Sequence, residues 1–223
     1  MMQALENELR RAGIERQVAC MLTQVEVDPA DPAFAAPSKP VGPFFGEAEA
    51  RELEAKGWTM MQDAGRGWRH AVPSPEPRAI VNLGMIEAML ATGAVVIAGG
   101  GGGIPVVRDA RGDWQGRQAV IDKDLASALL ARALGIPQLL MLTAVDKVAI
   151  HFGQPGERFL DRVPLSELKR YQREGHFAKG SMGPKVQAAI RHIEAGGSRA
   201  IIGHLQRAAP ALAGEAGTHV VPD

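Results

Sequence analysis

Ala94-Val95-Val96-Ile97-Ala98-Gly99-Gly100-Gly101-Gly102-Gly103-Ile104-Pro105-Val106-Val107 is the stretch on which the fold turns. Its first five residues, rich in valine and isoleucine, read as a buried strand. The last four look extended as well, so the five glycines separate two strands rather than leading a strand into a helix. That order departs from the Rossmann fingerprint, and no Gly-Lys-Ser/Thr closes the run as in a Walker loop. A turn needs one or two glycines, and each glycine in regular structure forfeits roughly 0.5–1 kcal/mol relative to alanine. Five imply close backbone approach, read here as approach to a phosphate-bearing ligand; the alternative is a flexible surface loop.

Outward from this stretch the chain alternates helix and strand. A helix is expected from about Ile80 to Ala91, then one from Asp124 to Leu134, a strand at Gln138 to Val145, and a helix from Pro184. Strands follow at Arg199 to Leu205 and Thr218 to Val221. Apolar strands alternating with helices predict an α/β fold, a three-layer αβα sandwich with a mainly parallel open sheet. Toward the amino end, Met1 to Ala12 reads as a helix stopped by Gly13, and Val18 to Val27 as a strand. The proline-rich Asp28 to Phe45 resists regular helix and predicts a stiff excursion. Glu47 to Lys56 reads as a short polar helix, and Trp58 and Trp68 as flanks of a small hairpin, with Pro73-Ser74-Pro75-Glu76-Pro77 bringing the chain back. The expectation is one domain over residues 1–223 with a protruding lobe at about 28–70.

The 223 residues are 46% hydrophobic, enough for a packed core, and 25 basic residues balance 25 acidic ones. Zero net charge removes the broad attraction that non-specific nucleic-acid binding needs. No apolar run reaches the roughly 18 residues of a membrane span, and no secretory leader is visible. The single Cys20 excludes an internal disulfide and a cysteine-rich metal site. The composition predicts a soluble cytoplasmic protein, with neither membrane nor nucleic acid as partner.

Two lysines stand at helix starts, where the helix dipole disfavours a cation by about 0.3–1 kcal/mol. In Gly180-Ser181-Met182-Gly183-Pro184-Lys185-Val186, Pro184 suits the first helical position, and free N–H groups with Lys185 would receive an anion. In Val120-Ile121-Asp122-Lys123-Asp124-Leu125, Lys123 precedes a helix that Asp124 can cap. Lys123 can also pair with Asp122 or Asp124, and Lys185 can instead be a solvated surface lysine. Lys39, between Ser38 and Pro40 in the lobe, is ambiguous alone. Asp146-Lys147 ends a strand where open parallel sheets bind ligands, or simply caps it. The six histidines lack metal-ligand spacing; His176, near Lys185, is the one to watch.

Taken together these segments resemble the carbamate kinases of the amino-acid-kinase superfamily. The resemblance is carried by Thr23 to Asp28, Asp31-Pro32-Ala33-Phe34, Pro37 to Phe44, Trp68-Arg69 and Val72-Pro73-Ser74-Pro75. It continues through Ala98 to Pro105, Val120 to Leu125, Leu142 to Val148 and Gly175 to Val186. The resemblance implies reversible phosphoryl transfer in which ATP and carbamate give ADP and carbamoyl phosphate, usually run towards ATP at the end of arginine breakdown. It implies that Lys123 and Lys185 neutralise the transferring phosphoryl group, that Asp124 organises them, and that Lys39 closes over it from the lobe. Gly100, Gly101, Gly102, Gly103, Ser181 and Gly183 would line the phosphate and substrate site. Thr143, Val145, Asp146, Lys147 and Val148 would border the nucleotide, which would carry Mg²⁺. A homodimer is implied as well.

Relatives begin with a strand and a Gly-Gly-Asn-Ala-like loop that Met1-Met2-Gln3-Ala4-Leu5 does not match, so this chain is expected to lack that segment. Two rivals follow: a sister kinase with another acceptor, which the lobe argues against, and a truncated nucleotide-binding remnant with little or no turnover.

Overall fold

Gly13 ends the first helix as its position predicts. In α1 (Met2–Arg11) the last turn closes through Gly13 N–H to the Arg10 carbonyl and Ile14 N–H to the Leu9 carbonyl, and Gly13 takes a φ of +67°. A side chain would strain at that angle. The computed structural model describes residues 1–63, 65–178 and 180–223. Ala64, in the expected lobe, and Lys179, in the Gly175–Val186 match, lie outside the described residues. The chain divides into two units, Met1–Lys123 and Asp124–Asp223.

The first unit continues through β1 (Val18–Cys20), β2 (Gln24–Val27), a 3-10 turn at Pro32–Phe34, β3 (Lys39–Phe45), α2 (Glu47–Ala55), β4 (Met60–Gln62) and β5 (Trp68–Val72). It ends with β6 (Pro77–Ile80), α3 (Leu83–Ala91), β7 (Val95–Ile97), β8 (Ile104–Arg108) and β9 (Trp114–Gly116). The expected Val18–Val27 strand is two strands in different sheets. β1 pairs in parallel with β7, whereas β2 lies in a sheet ordered β6-β2-β8-β9. The chain breaks at Leu22, which is 82% exposed, before Val25 and Val27 enter the core. Ile80 closes an antiparallel strand on β2, so the following helix starts at Leu83 rather than at Ile80.

The lobe is a three-stranded antiparallel sheet, β3-β5-β4, with β4 and β5 forming the hairpin expected between the tryptophans. The proline-rich stretch expected to be stiff and free of regular helix holds the 3-10 turn at Pro32–Phe34 and then the strand β3. β3 is the sheet edge, where Pro40 and Pro43 need no N–H for a further neighbour, and the register shifts between Val41 and Phe45.

The second unit opens with α4 (Lys123–Ala133), whose first residue is the last of the first unit. It comprises β10 (Gln138–Thr143), β11 (Ala149–Ile150), β12 (Arg158–Phe159), β13 (Arg162–Pro164), α5 (Leu165–Arg173), α6 (Met182–Glu194), β14 (Arg199–His204), α7 (Ala208–Ala213) and β15 (Thr218–Val221). One sheet, ordered β10-β14-β15-β13, forms its centre. Alternation along β14 buries both faces: Ala200 and Ile202 join Val186, Ala189, Ile190 and Ile193 of α6, while Ile201 meets Ala211 of α7. Parallel ladders join β1 to β7, β2 to β8, β10 to β14 and β13 to β15, with antiparallel ladders beside them. The α/β expectation therefore holds, with sheets that are partly parallel.

Candidate active site

In the first unit the glycine run is shaped by the chain itself. Gly99 N–H donates to the Thr23 hydroxyl at 2.8 Å, and Gly102 N–H closes a turn on the Gly99 carbonyl. A Cβ at Gly102 (φ +136°) would lie 2.1 Å from the Ile121 carbonyl oxygen, and one at Gly103 only 2.4 Å from Val25 Cγ2. The close approach inferred from the sequence is therefore met, at these two positions, by protein rather than ligand. Gly100 and Gly101 are exposed, with nothing within 4 Å of a Cβ.

The segment lying against Gly102 carries the charges. Asp122 is 7% exposed and accepts from Lys39 Nζ at 2.6 Å. Lys123, next in the chain, is exposed and is the first residue of α4. Lys39 is the first residue of β3, so the lobe supplies one ammonium and the approach to α4 supplies its carboxylate.

In the second unit Lys185 Nζ donates to Asp124 Oδ2 at 2.8 Å, with the two side chains 12% and 10% exposed. Asp124 is the second residue of α4, two places past the cap position expected of it. α6 likewise starts at Met182, two residues before the expected Pro184, so Lys185 is its fourth residue. Ser181 makes no side-chain cap, and Gly183 N–H is engaged by the Ala178 carbonyl at 2.8 Å. Pro184 has no N–H, which leaves the helix start a narrower anion receptor than its sequence suggests. Direct ion pairing is the stronger feature: a largely buried carboxylate–ammonium pair holds both groups in place and is costly to break.

The expected nucleotide border divides. Thr143 ends β10, Val145 is half-buried and Asp146 is exposed. Lys147 pairs with Asp161, and Val148 is a core residue whose N–H donates to the Thr218 hydroxyl at 2.9 Å. His176 faces the ring of His151 at 4.4 Å, with its Nε2 3.3 Å from Glu174 Oε2. His151 is the one non-glycine residue with positive φ among those described, at +52°. Its place was not legible from spacing. Nor was the pairing of Asp122 with Lys39.

A lysine held by a carboxylate at the start of a helix, after an α/β core, is an arrangement for binding and neutralising phosphate groups. The model of the amino acid kinase family matches residues 15–204, and the chain belongs to that family. Within it, the chain is 53% identical over 220 residues to the carbamate kinase of Thermococcus kodakarensis, spanning 98% of this chain and 70% of that protein. Its fold follows the carbamate kinase of Giardia lamblia bound to citric acid with a TM-score of 0.92 at 43% identity, covering all of this chain and 70% of that one. The same Giardia enzyme bound to AMP-PNP superposes with a TM-score of 0.88 at 44% identity, over all of this chain and 71% of the other.

Proposed function

We infer that the protein is an ATP-dependent phosphotransferase of the carbamate kinase type, interconverting ATP plus carbamate with ADP plus carbamoyl phosphate. The observation that carries this reading is the Lys185–Asp124 pair, set at helix starts in a chain half identical to a carbamate kinase along almost its whole length. Transfer of a phosphoryl group demands positioning and charge neutralisation rather than a covalent nucleophile, and lysines held by carboxylates supply both. We propose that Lys123 and Lys185 neutralise the migrating group, Asp124 orients Lys185, and Lys39 reaches it from the lobe. Gly100 and Gly101 would offer backbone N–H groups to phosphate or carbamate oxygens, and Ser181 and Gly183 are assigned to substrate or phosphate binding as well. Thr143, Val145 and Asp146 would border the base and ribose.

The donor set suits a nucleotide, since its cations are lysines and its carboxylates are committed to them. Mg²⁺ would be held by the phosphate oxygens and would supply further charge neutralisation there. We further propose that both units serve this one activity, as a cytoplasmic homodimer. Among the described residues no helix is long and apolar enough to cross a membrane.

The test is direct. Purified protein given ADP, Mg²⁺ and carbamoyl phosphate is expected to form ATP, detected by coupled luminescence. If carbamoyl phosphate is inert while acetyl phosphate or an acyl phosphate of an amino acid is consumed, the acceptor is wrong. If no phosphoryl donor or acceptor turns over but AMP-PNP still binds, the protein is a nucleotide-binding remnant.

A further inference from the structure

The first unit contains a carboxylate that the resemblance did not assign. Asp122 sits on a segment fixed from two sides. On one side the Ile121 carbonyl lies so close to Gly102 that no Cβ fits between them. On the other, Val120 N–H donates to the Pro73 carbonyl at 2.9 Å, tying the segment to the residue just beyond β5 of the lobe. Lys39 is fixed at its base as well. It is paired with Val72 across the lobe sheet, Ser38 N–H donates to the Val72 carbonyl, and Pro40 confines Lys39 to extended backbone. Lys39 Nζ to Asp122 Oδ2, at 2.6 Å, adds a side-chain contact to the backbone bond at Pro73.

We propose that Asp122 is a positioning residue that latches the lobe by holding the Lys39 ammonium at the approach to α4. The proposal rests on the phosphoryl-transfer reading for its catalytic consequence but not for the latch itself. A buried carboxylate gives the lysine a place to wait, with its charge neutralised, when no anion is present. Because Lys39 keeps about a third of its side-chain surface in water (32%, against 10% for Asp122), the ammonium can turn toward an arriving phosphate without uncovering the core. Lys39 is thus pre-placed, and less of its rotamer freedom remains to be lost on binding.

The experiment is a double-mutant cycle with Asp122→Asn, Lys39→Ala and the double variant, read two ways. The first readout is the rate of ATP formation from ADP and carbamoyl phosphate. Asp122→Asn is expected to lower kcat about tenfold with KM for ADP nearly unchanged, and to lower it no further when Lys39 is already alanine. Asp122→Glu, which keeps the charge, should recover part of the loss. The second readout is hydrogen exchange over residues 38–45 in the ligand-free protein, expected to quicken several-fold in Asp122→Asn and in Lys39→Ala alike. Losses in kcat that multiply in the double variant, or unchanged exchange in Asp122→Asn, overturn the latch. A wild-type protein inert toward carbamoyl phosphate defeats the proposed function alone, and the exchange measurement still decides the latch.

Discussion

The Lys185–Asp124 and Lys39–Asp122 pairs are alike in chemistry and opposite in mounting. Lys185 stands on α6, whose Val186, Ala189, Ile190 and Ile193 are locked into the core of the second unit, and both partners are about nine-tenths buried. Lys39 stands on the edge strand of a three-stranded lobe, with a third of its side chain in water. Burial strengthens an ion pair's hold and raises the cost of breaking it, while exposure lets solvent and other anions compete. The comparison separates a fixed charge, suited to a site that must keep its geometry through each turnover, from a charge that can be delivered and withdrawn.

The strongest way to break that contrast is to remove the fixed charge. Lys185→Ala is expected to lower kcat about 10³-fold, the scale of losing a principal donor to the transition-state charge. Its melting temperature should fall too, by about 6–20 °C, because the buried Asp124 carboxylate loses its ammonium, so the rate is read per folded molecule. A rate per folded molecule that holds while stability drops would make Lys185 structural and erase the distinction from its partner in the lobe.

The glycine run marks the boundary of what sequence could reveal. Five glycines announced close approach, yet nothing in a linear pattern says what approaches, and at Gly102 and Gly103 it is Ile121 and Val25. Lys123, Asp124 and Lys185 were legible because helix starts have local signatures and the segments resemble a known family. The Lys39–Asp122 pair was not, because its partners lie 83 residues apart and only lobe folding joins them. Tertiary context also overrode the prolines of β3, harmless on an edge, and split the Val18–Val27 run between two sheets. α5 went unread because its sequence is polar apart from a stripe, with Leu168 and Tyr171 its buried residues.

Two neighbouring glycines sharpen the division between a residue kept for its own fold and one open to a ligand. Gly102→Ala should cost about 3 kcal/mol of stability, because a backbone carbonyl stands where its Cβ would go and positive φ adds strain. It should also disturb Asp122 through Ile121. Gly101→Ala has open space and no positive φ, so its denaturant midpoint should match wild type while turnover falls. Equal stability losses in the two would mean that the run is one stiff turn; wild-type turnover in Gly101→Ala would remove that position from the phosphate site.

The smallest expected effect is specific to the lobe and concerns acid. Asp63 Oδ2 accepts from Arg69 at 3.0 Å and from Arg66 at 3.3 Å. The Arg69 hydrogen bond, ahead of an opposing cost of burial, holds the Asp63 carboxyl below its ordinary value. A group whose folded value is depressed contributes stability above its unfolded value, near 3.9, and that contribution is lost as pH falls through the lower folded value. The β4–β5 hairpin should therefore loosen as pH drops below about 4, with faster hydrogen exchange over residues 60–62 and 68–72. Asp63→Asn should exchange faster already at neutral pH and show a flatter acid dependence there, while exchange in α6 stays the same in both proteins. An acid response of the hairpin that is identical with asparagine at position 63 would assign the loosening to other carboxylates and leave the arginine clamp without a role in holding the lobe.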